Sequence, residues 1–251
     1  MTEHWNGTTW HATPNPATAC CGITSLSGNK ESGIWAADAG GNLYHWVSGA
    51  WTLVYTPSGI GGDSLGYVVA FSPTEVWELW DTYHRRDGTL AVKAIHWNGT
   101  QARVYTLPAD PGTTLPYAIG GDSPSDIWVV GRTNVSHNGT KSYAVHFDGK
   151  TWSLQDPPYH GGNHELNAIA ATSPTDVWAV GSTWVAGVRE PLEEHWNGTR
   201  WTKHEGPDLT TAAELLGVTA IPGTSDFWAI GASFPRPNQE FFKTLALHCC
   251  G

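Results

Sequence analysis

The chain has 251 residues, 40 % hydrophobic composition and a formal net charge of −10, with a pI near 5.5. That length and composition can bury a sizeable core and exclude a disordered chain. The 13 Lys and Arg residues are scattered among 23 Asp and Glu, which excludes a nucleic-acid partner, because phosphate-backbone binding needs clustered cations.

No apolar run approaches the roughly 18 residues of a membrane helix, so no membrane partner is expected. The opening "MTEHWNGTTW" lacks the basic and apolar regions of a signal peptide. The expectation is a soluble protein, cytoplasmic as the chain stands and secreted if a leader has been removed.

Taken in chain order, the elements repeat. "HWNGTTW" at 4–10 returns as "HWVSGAW" at 45–51, "HWNGTQA" at 96–102, "HFDGKTW" at 146–152 and "HWNGTRW" at 195–201, and ends as "HCCG" at 248–251. Between these copies run "GIWAAD", "EVWELW", "DIWVVG", "DVWAVG" and "DFWAIG", with tryptophans at 35, 77, 128, 178 and 228. A period of about 50 residues points to a propeller or a solenoid.

Within one unit, "ELNAIAATS", "DVWAVGSTW", "PLEEHWNG" and "TRWTKHEGP" read as four short strands bounded by Gly, Pro, Asn and Asp. The Asn-Gly pairs at 6–7, 98–99 and 197–198 suit two-residue type I′ hairpins. Four strands per repeat with no helix to cover them predict an all-β fold, a five-bladed β-propeller with four-stranded blades. The innermost strands fall at 19–26, 64–71, 115–122, 165–172 and 214–221.

One domain therefore spans 1–251. Its blades run over about 19–57, 64–108, 115–158, 165–207, and 214–251 plus 8–14. The N-terminal strand is expected to complete the last blade and close the ring, leaving no open sheet edge. Both 3–7 and 247–251 match the third strand, so one of them is surplus.

The phrases "SPTDVWAVG" and "HWNGTRW" resemble those of the Trp-rich, kelch-like propeller repeats of bacterial proteins. The resemblance covers essentially the whole chain, although the double-Gly signature of kelch and the Gly-His to Trp-Asp spacing of WD40 repeats are missing. It implies the fold and little about activity, which has to be argued from a site.

Residues that recur in every blade are packing. Of 15 tryptophans, all but Trp80 and Trp184 fall on repeat positions, as do His4, His45, His96, His146, His195 and His248. The Asn-Gly-Thr triplets read as turn chemistry rather than glycosylation signals.

What remains after the repeat is subtracted clusters at loops expected around the channel mouth. Blade two offers Trp80, Tyr83, His84, Arg85 and Arg86. Blade three offers Tyr117, Arg132 and His137. Trp184 and Arg189 belong to blade four and Arg236 to blade five, while the linker "DPPYHGGNHE" adds Tyr159, His160, His164 and Glu165. Aligning the inner strands sets Cys20-Cys21 opposite Pro116-Tyr117, Leu166-Asn167 and Leu215-Leu216.

Three functions fit this set. The first is a binding module with one asymmetric site for a small molecule or carbohydrate, in which Trp80, Tyr83, Tyr117, Tyr159 and Trp184 stack on the ligand while Arg132 and Arg189 hold its polar groups. A protein partner on the same face is compatible with it. The second is a Cu- or Zn-dependent enzyme built on Cys20, Cys21, His160 and His164, with Cys249, Cys250 and His248 as alternative ligands, since thiolate and imidazole together favour those metals. The third is a glycoside hydrolase using Glu165 and Glu214, which start neighbouring inner strands as a carboxylate pair would.

Overall fold

The computed structural model describes residues 2–16, 22–57, 66–84, 89–109, 113–135, 139–158, 162–207, 209, 211–221, 223–224, 226–234 and 242–249, without side chains for 81–91. All regular structure among them is β-strand. No helix is long and apolar enough to cross a membrane. The chain forms two compact units, Met1–Thr106 and Leu107–Gly251.

The first unit begins with a separate hairpin, β1 (Thr2–Trp5) paired with β2 (Trp10–Thr13). A four-stranded antiparallel sheet follows, in the order β3 (Ile23–Asn29), β4 (Gly33–Asp38), β5 (Leu43–Val47) and β6 (Ala50–Tyr55). A second four-stranded sheet comprises β7 (Tyr67–Ser72), β8 (Glu75–His84), β9 (Thr89–Trp97) and β10 (Ala102–Thr106). Trp35, Leu43, Val68 and Val76 fill the apolar cluster of this unit.

The second unit repeats the plan. Its first sheet is β11 (Thr113–Ser123), β12 (Asp126–Val135), β13 (Gly139–Phe147) and β14 (Trp152–Leu154); its second is β15 (Asn163–Ser173), β16 (Asp176–Val185), β17 (Val188–Trp196) and β18 (Trp201–His204). The last has three strands, β19 (Ala212–Ala220), β20 (Phe227–Phe234) and β21 (Lys243–Cys249). Within the second unit β11 packs on β15 and β15 on β19, and β15 and β19 each also lie against the second and third strands of the sheet before; within the first unit β7 packs on β3 and β4.

Among the described residues the last sheet has three strands. Residues 10–13 pair with 2–5 in the first unit, joined by the Asn6 to Thr9 turn with Asn6 N bonded to Thr9 O at 3.1 Å.

The recurrent phrase has one structural meaning. Trp128 and His146 are cross-strand partners, stacked with centroids 4.2 Å apart, and Asp126 at the start of the same strand meets His146 Nε2 at 3.0 Å. Trp178, His195 and Asp176 repeat this at 4.3 and 2.8 Å, as do Trp77, His96 and Glu75 at 4.4 and 2.6 Å. Carboxylate, imidazole and indole thus form one packing unit in each of these three sheets.

The Asn-Gly pairs are not two-residue turns. Asn98 Oδ1 accepts from Thr100 N, Thr100 Oγ1 and Gln101 N, making a four-residue loop in which Gly99 carries φ +90°. Asn197 does the same with Thr199 and Arg200. An Asx-type turn that satisfies several donors at once outcompetes the tighter type I′ geometry. The two-residue loops with positive φ at both positions are instead Ser48-Gly49 and Ala186-Gly187.

Candidate functional site

The inner strands of the second unit carry a bulge at the same place. Pairing with the second strand skips Tyr117 between Pro116 and Ala118, Asn167 between Leu166 and Ala168, and Leu216 between Leu215 and Gly217. A bulge turns one side chain out of the ladder, so these positions carry blade-specific chemistry. In the first unit the corresponding skip falls at Thr24, between Ile23 and Ser25. Thr24, and not Cys21, is the equivalent of Tyr117, which shifts the expected alignment along the strand. Thr24 Oγ1 donates to Gly66 O at 2.7 Å, as Asn167 Nδ2 donates to Leu215 O at 2.8 Å.

Around the bulges of β11, β15 and β19 lies a polar network. Arg132 Nη1 donates to Glu165 Oε2 at 3.0 Å, and Ser182 Oγ donates to Glu165 Oε1 at 2.9 Å. The same carboxylate lies 3.5 Å from Arg189 Nη2, while Arg189 Nη1 donates to Glu214. Glu165 and Glu214 are mostly buried, at 14 % and 16 % side-chain exposure, beneath the more exposed guanidinium groups. The Nε atoms of Arg132 and Arg189 are both buried without a hydrogen-bond partner among the described residues.

Aromatic faces border the charges. Arg132 lies 5.7 Å from the Tyr117 ring centroid and Arg189 5.2 Å from that of Trp184, within cation–π range. Trp184 is exposed at 41 %, next to the tight Ala186-Gly187 turn that returns the chain to Arg189. Burial raises the Tyr117 phenol above its ordinary pKa; Arg132 opposes the shift and Glu165 adds to it.

Of the residues singled out from sequence, Tyr117, Arg132, Trp184 and Arg189 are brought together, and the carboxylates Glu165 and Glu214 join them. Trp80 is not part of this set. It is 2 % exposed in the first unit, where Lys93 lies 5.7 Å over its ring, and it has no free face for stacking. The side chain of Tyr83 and residues Tyr159, Cys20, Cys21, His160, His137, Arg85, Arg86, Arg236 and Cys250 lie outside what the structure describes. His164 is 6 % exposed on β15, with its carbonyl accepting from Thr140 Oγ1 at 3.2 Å. Ser182 was not signalled in the sequence: it is a small polar residue inside the "AVGS" run and matters only because β16 sets it opposite Glu165.

Another cluster joins Glu193, His204 and Cys249, whose donor atoms all lie within 4.8 Å of one another. Glu193 and His204 also line a cleft of about 240 Å³ with Glu190, Lys203 and Thr211.

Antiparallel sheets packed through their first strands within each unit, with a charged and aromatic cluster at the bulges of the second unit, define an all-β fold of the propeller type. No protein-family model and no curated protein matches the chain. Solved structures do match. A protein from Lactobacillus plantarum is similar at 11 % identity and a TM-score of 0.53, over 96 % of this chain and 72 % of that one. A mutant of the Aleuria aurantia lectin in complex with alpha-methyl-L-fucoside matches at 13 % identity and a TM-score of 0.52, over 88 % and 73 %. YCF48 bound to D1 peptide matches at 15 % and 0.51, over 92 % and 69 %. At these identities the likeness concerns the fold.

Proposed function

We propose that the repeat builds one five-bladed propeller of the Trp-rich, kelch-like kind, and that it is a binding module for a small polyhydroxylated ligand, a carbohydrate above all. The observation that carries this reading is the joined set Tyr117, Arg132, Glu165, Arg189, Glu214 and Trp184. It combines an exposed indole with fixed donors and acceptors of both charges, the two kinds of surface a sugar needs for its ring face and its hydroxyls. Fold-level likeness to a fucoside-bound lectin supports the ligand class by analogy.

The blade-to-blade differences favour a single asymmetric site. The bulge positions hold Tyr117, Asn167 and Leu216, which could not form equivalent pockets. Hydrolysis is the second reading, because one guanidinium, that of Arg189, touches both Glu165 and Glu214 and so brings two carboxylates to one locus.

The test is calorimetric titration of the full chain with a panel of neutral monosaccharides that includes L-fucose and its methyl glycoside, repeated with Trp184→Ala and Arg132→Ala. Saturable binding weakened at least tenfold in both variants is the expected result. Absence of saturable binding across the panel overturns the carbohydrate reading. Release of reducing sugar from aryl glycosides, abolished in Glu165→Gln, would convert the module into a hydrolase.

A further inference from the structure

Three residues break the repeat at positions that the repeat makes directly comparable. On β17, Glu193 pairs with Val180. The same register position holds Ala94 on β9, Ala144 on β13 and Ala246 on β21. On β18, His204 stands opposite Glu193, where β10 sets Tyr105 opposite Ala94. On β21, Cys249 follows the repeat histidine His248, whereas Trp97, Phe147 and Trp196 follow His96, His146 and His195.

These departures meet at one point. Glu193 Oε2 lies 3.0 Å from His204 Nδ1, and Cys249 Sγ lies 3.9 Å from that nitrogen and 3.4 Å from Nε2. Glu193 is all but buried, with 4 % of its side chain exposed. A buried carboxylate in place of alanine is costly unless a partner meets it. Gly206 leaves it room, because a Cβ there would come within 2.8 Å of Glu193 Oε1. The Trp178 ring, 5.4 Å from that of His204 and nearly perpendicular to it, packs against the imidazole. At the position of Cys249, Trp196 of the preceding sheet fills its space against Trp128, with centroids 5.1 Å apart. The small thiol leaves the equivalent space to the imidazole and carboxylate.

We propose that Glu193, His204 and Cys249 bind one divalent ion of the zinc class, bridging the second and third sheets of the second unit, with a fourth coordination position facing the cleft. Thiolate, imidazole and carboxylate are together a borderline donor set, which suits Zn(II) rather than a hard cation. Metal–nitrogen bonds of about 2.0 Å and metal–sulfur bonds of about 2.3 Å at tetrahedral angles put nitrogen and sulfur about 3.5 Å apart. The Sγ distances to the two ring nitrogens, 3.4 and 3.9 Å, bracket that value. Binding displaces the thiol proton to solvent.

The same three residue types could serve as nucleophile, base and orienting carboxylate. Both uses of the imidazole need a ring-nitrogen lone pair turned toward Cys249, because the sulfur, 3.4 Å from Nε2 and 3.9 Å from Nδ1, lies beside the ring and not at its tip; the response of the thiol to zinc separates them.

The test uses the full chain, reduced and stripped with a chelator, then titrated with Co(II) and with Zn(II) against a chromophoric competitor. The expected result is one ion per chain and a thiolate-to-cobalt charge-transfer band that zinc displaces. Cys249→Ser should abolish the band, and His204→Ala and Glu193→Gln should each weaken zinc at least tenfold, with Cys250→Ser leaving both unchanged. Because the band is read on the unaltered protein, a variant that fails to fold does not decide the matter. Substoichiometric zinc without a charge-transfer band, or a band that survives Cys249→Ser, overturns the proposal. So does a metal-free thiol whose rapid alkylation depends on His204 and is unaffected by zinc.

Discussion

Arg132 of β12 donates to Glu165 of β15 at 3.0 Å, an ion pair that crosses from one sheet of the second unit to the next. Each partner comes from a different repeat, and Arg189 reaches the same carboxylate from β17. The pair is partly buried, with 32 % of the arginine side chain and 14 % of the glutamate exposed, so breaking it strands charge beside a second guanidinium.

Glu165→Gln is expected to destabilise the protein by about 1–3 kcal/mol, the range for removing one member of a buried charged hydrogen-bond network. Urea denaturation checks this. A variant within a few tenths of a kcal/mol of the parent would mean that the network adds nothing to stability.

Gly181 connects the repeat to the site. A Cβ at Gly181 would overlap the carbonyl of Glu165, and Gly131 and Gly231 stand in the same relation to Leu115 and Glu214. The glycine of "AVG" is thus required where the second strand runs against the bulged inner strand. Gly181→Ala is expected to cost about 1–3 kcal/mol and to weaken ligand binding, because it displaces the backbone that carries Glu165. Denaturation and titration read the two effects separately; binding unchanged in a destabilised variant would uncouple them.

Glu78 of the first unit is fully buried, and neither carboxylate oxygen has a hydrogen-bond partner among the described residues. Burial first, and the charge of Asp38 second, raise its pKa well above 4.5. A carboxyl raised on folding contributes stability that is fully present below the unfolded value and is lost as pH rises through the folded one. Stability should therefore fall from about pH 5 upward, and Glu78→Gln should flatten that fall, gaining on the order of 1–3 kcal/mol near pH 8. Thermal melts across the pH series test this; parallel curves for parent and variant would refute it.

Asp176 holds His195 at 2.8 Å beneath the stacked Trp178 ring. Asp176→Ala is expected to cost about 1–2 kcal/mol by leaving the imidazole without its acceptor. The loss should be largely suppressed when His195→Ala is already present, because the two residues act as one unit. A double-mutant cycle measures the coupling; additive losses would show that histidine packs on the indole without needing the carboxylate.

The sequence alone determined the repeat, the all-β class and the four-strand plan that four of the sheets follow; its separation of packing residues from the remainder held for Trp35, Trp77, Trp128 and Trp178 and failed for Trp80, which is core, and for Trp5, Trp10 and Trp228, which are exposed. The repeat was legible because Trp128, His146 and Asp126 and their counterparts interact along or across neighbouring strands, at offsets the chain itself prints. Subtracting that pattern picked out Tyr117, Arg132, Trp184, Arg189 and Glu165, and Glu214 came in as the counterpart of Glu165 on the next inner strand. Tertiary structure decided which of these meet, since Arg132 and Glu165 touch only because successive sheets pack through their first strands. It also decided that Trp80 is core, that 10–13 turns back on 2–5, and that the bulge of the first sheet lies at Thr24. Cys249, in the final "HCCG" copy of the repeated phrase, is a further case. Cys249 acquires meaning from Glu193 and His204, which lie on another sheet, and contact between sheets depends on packing that no spacing in the sequence encodes.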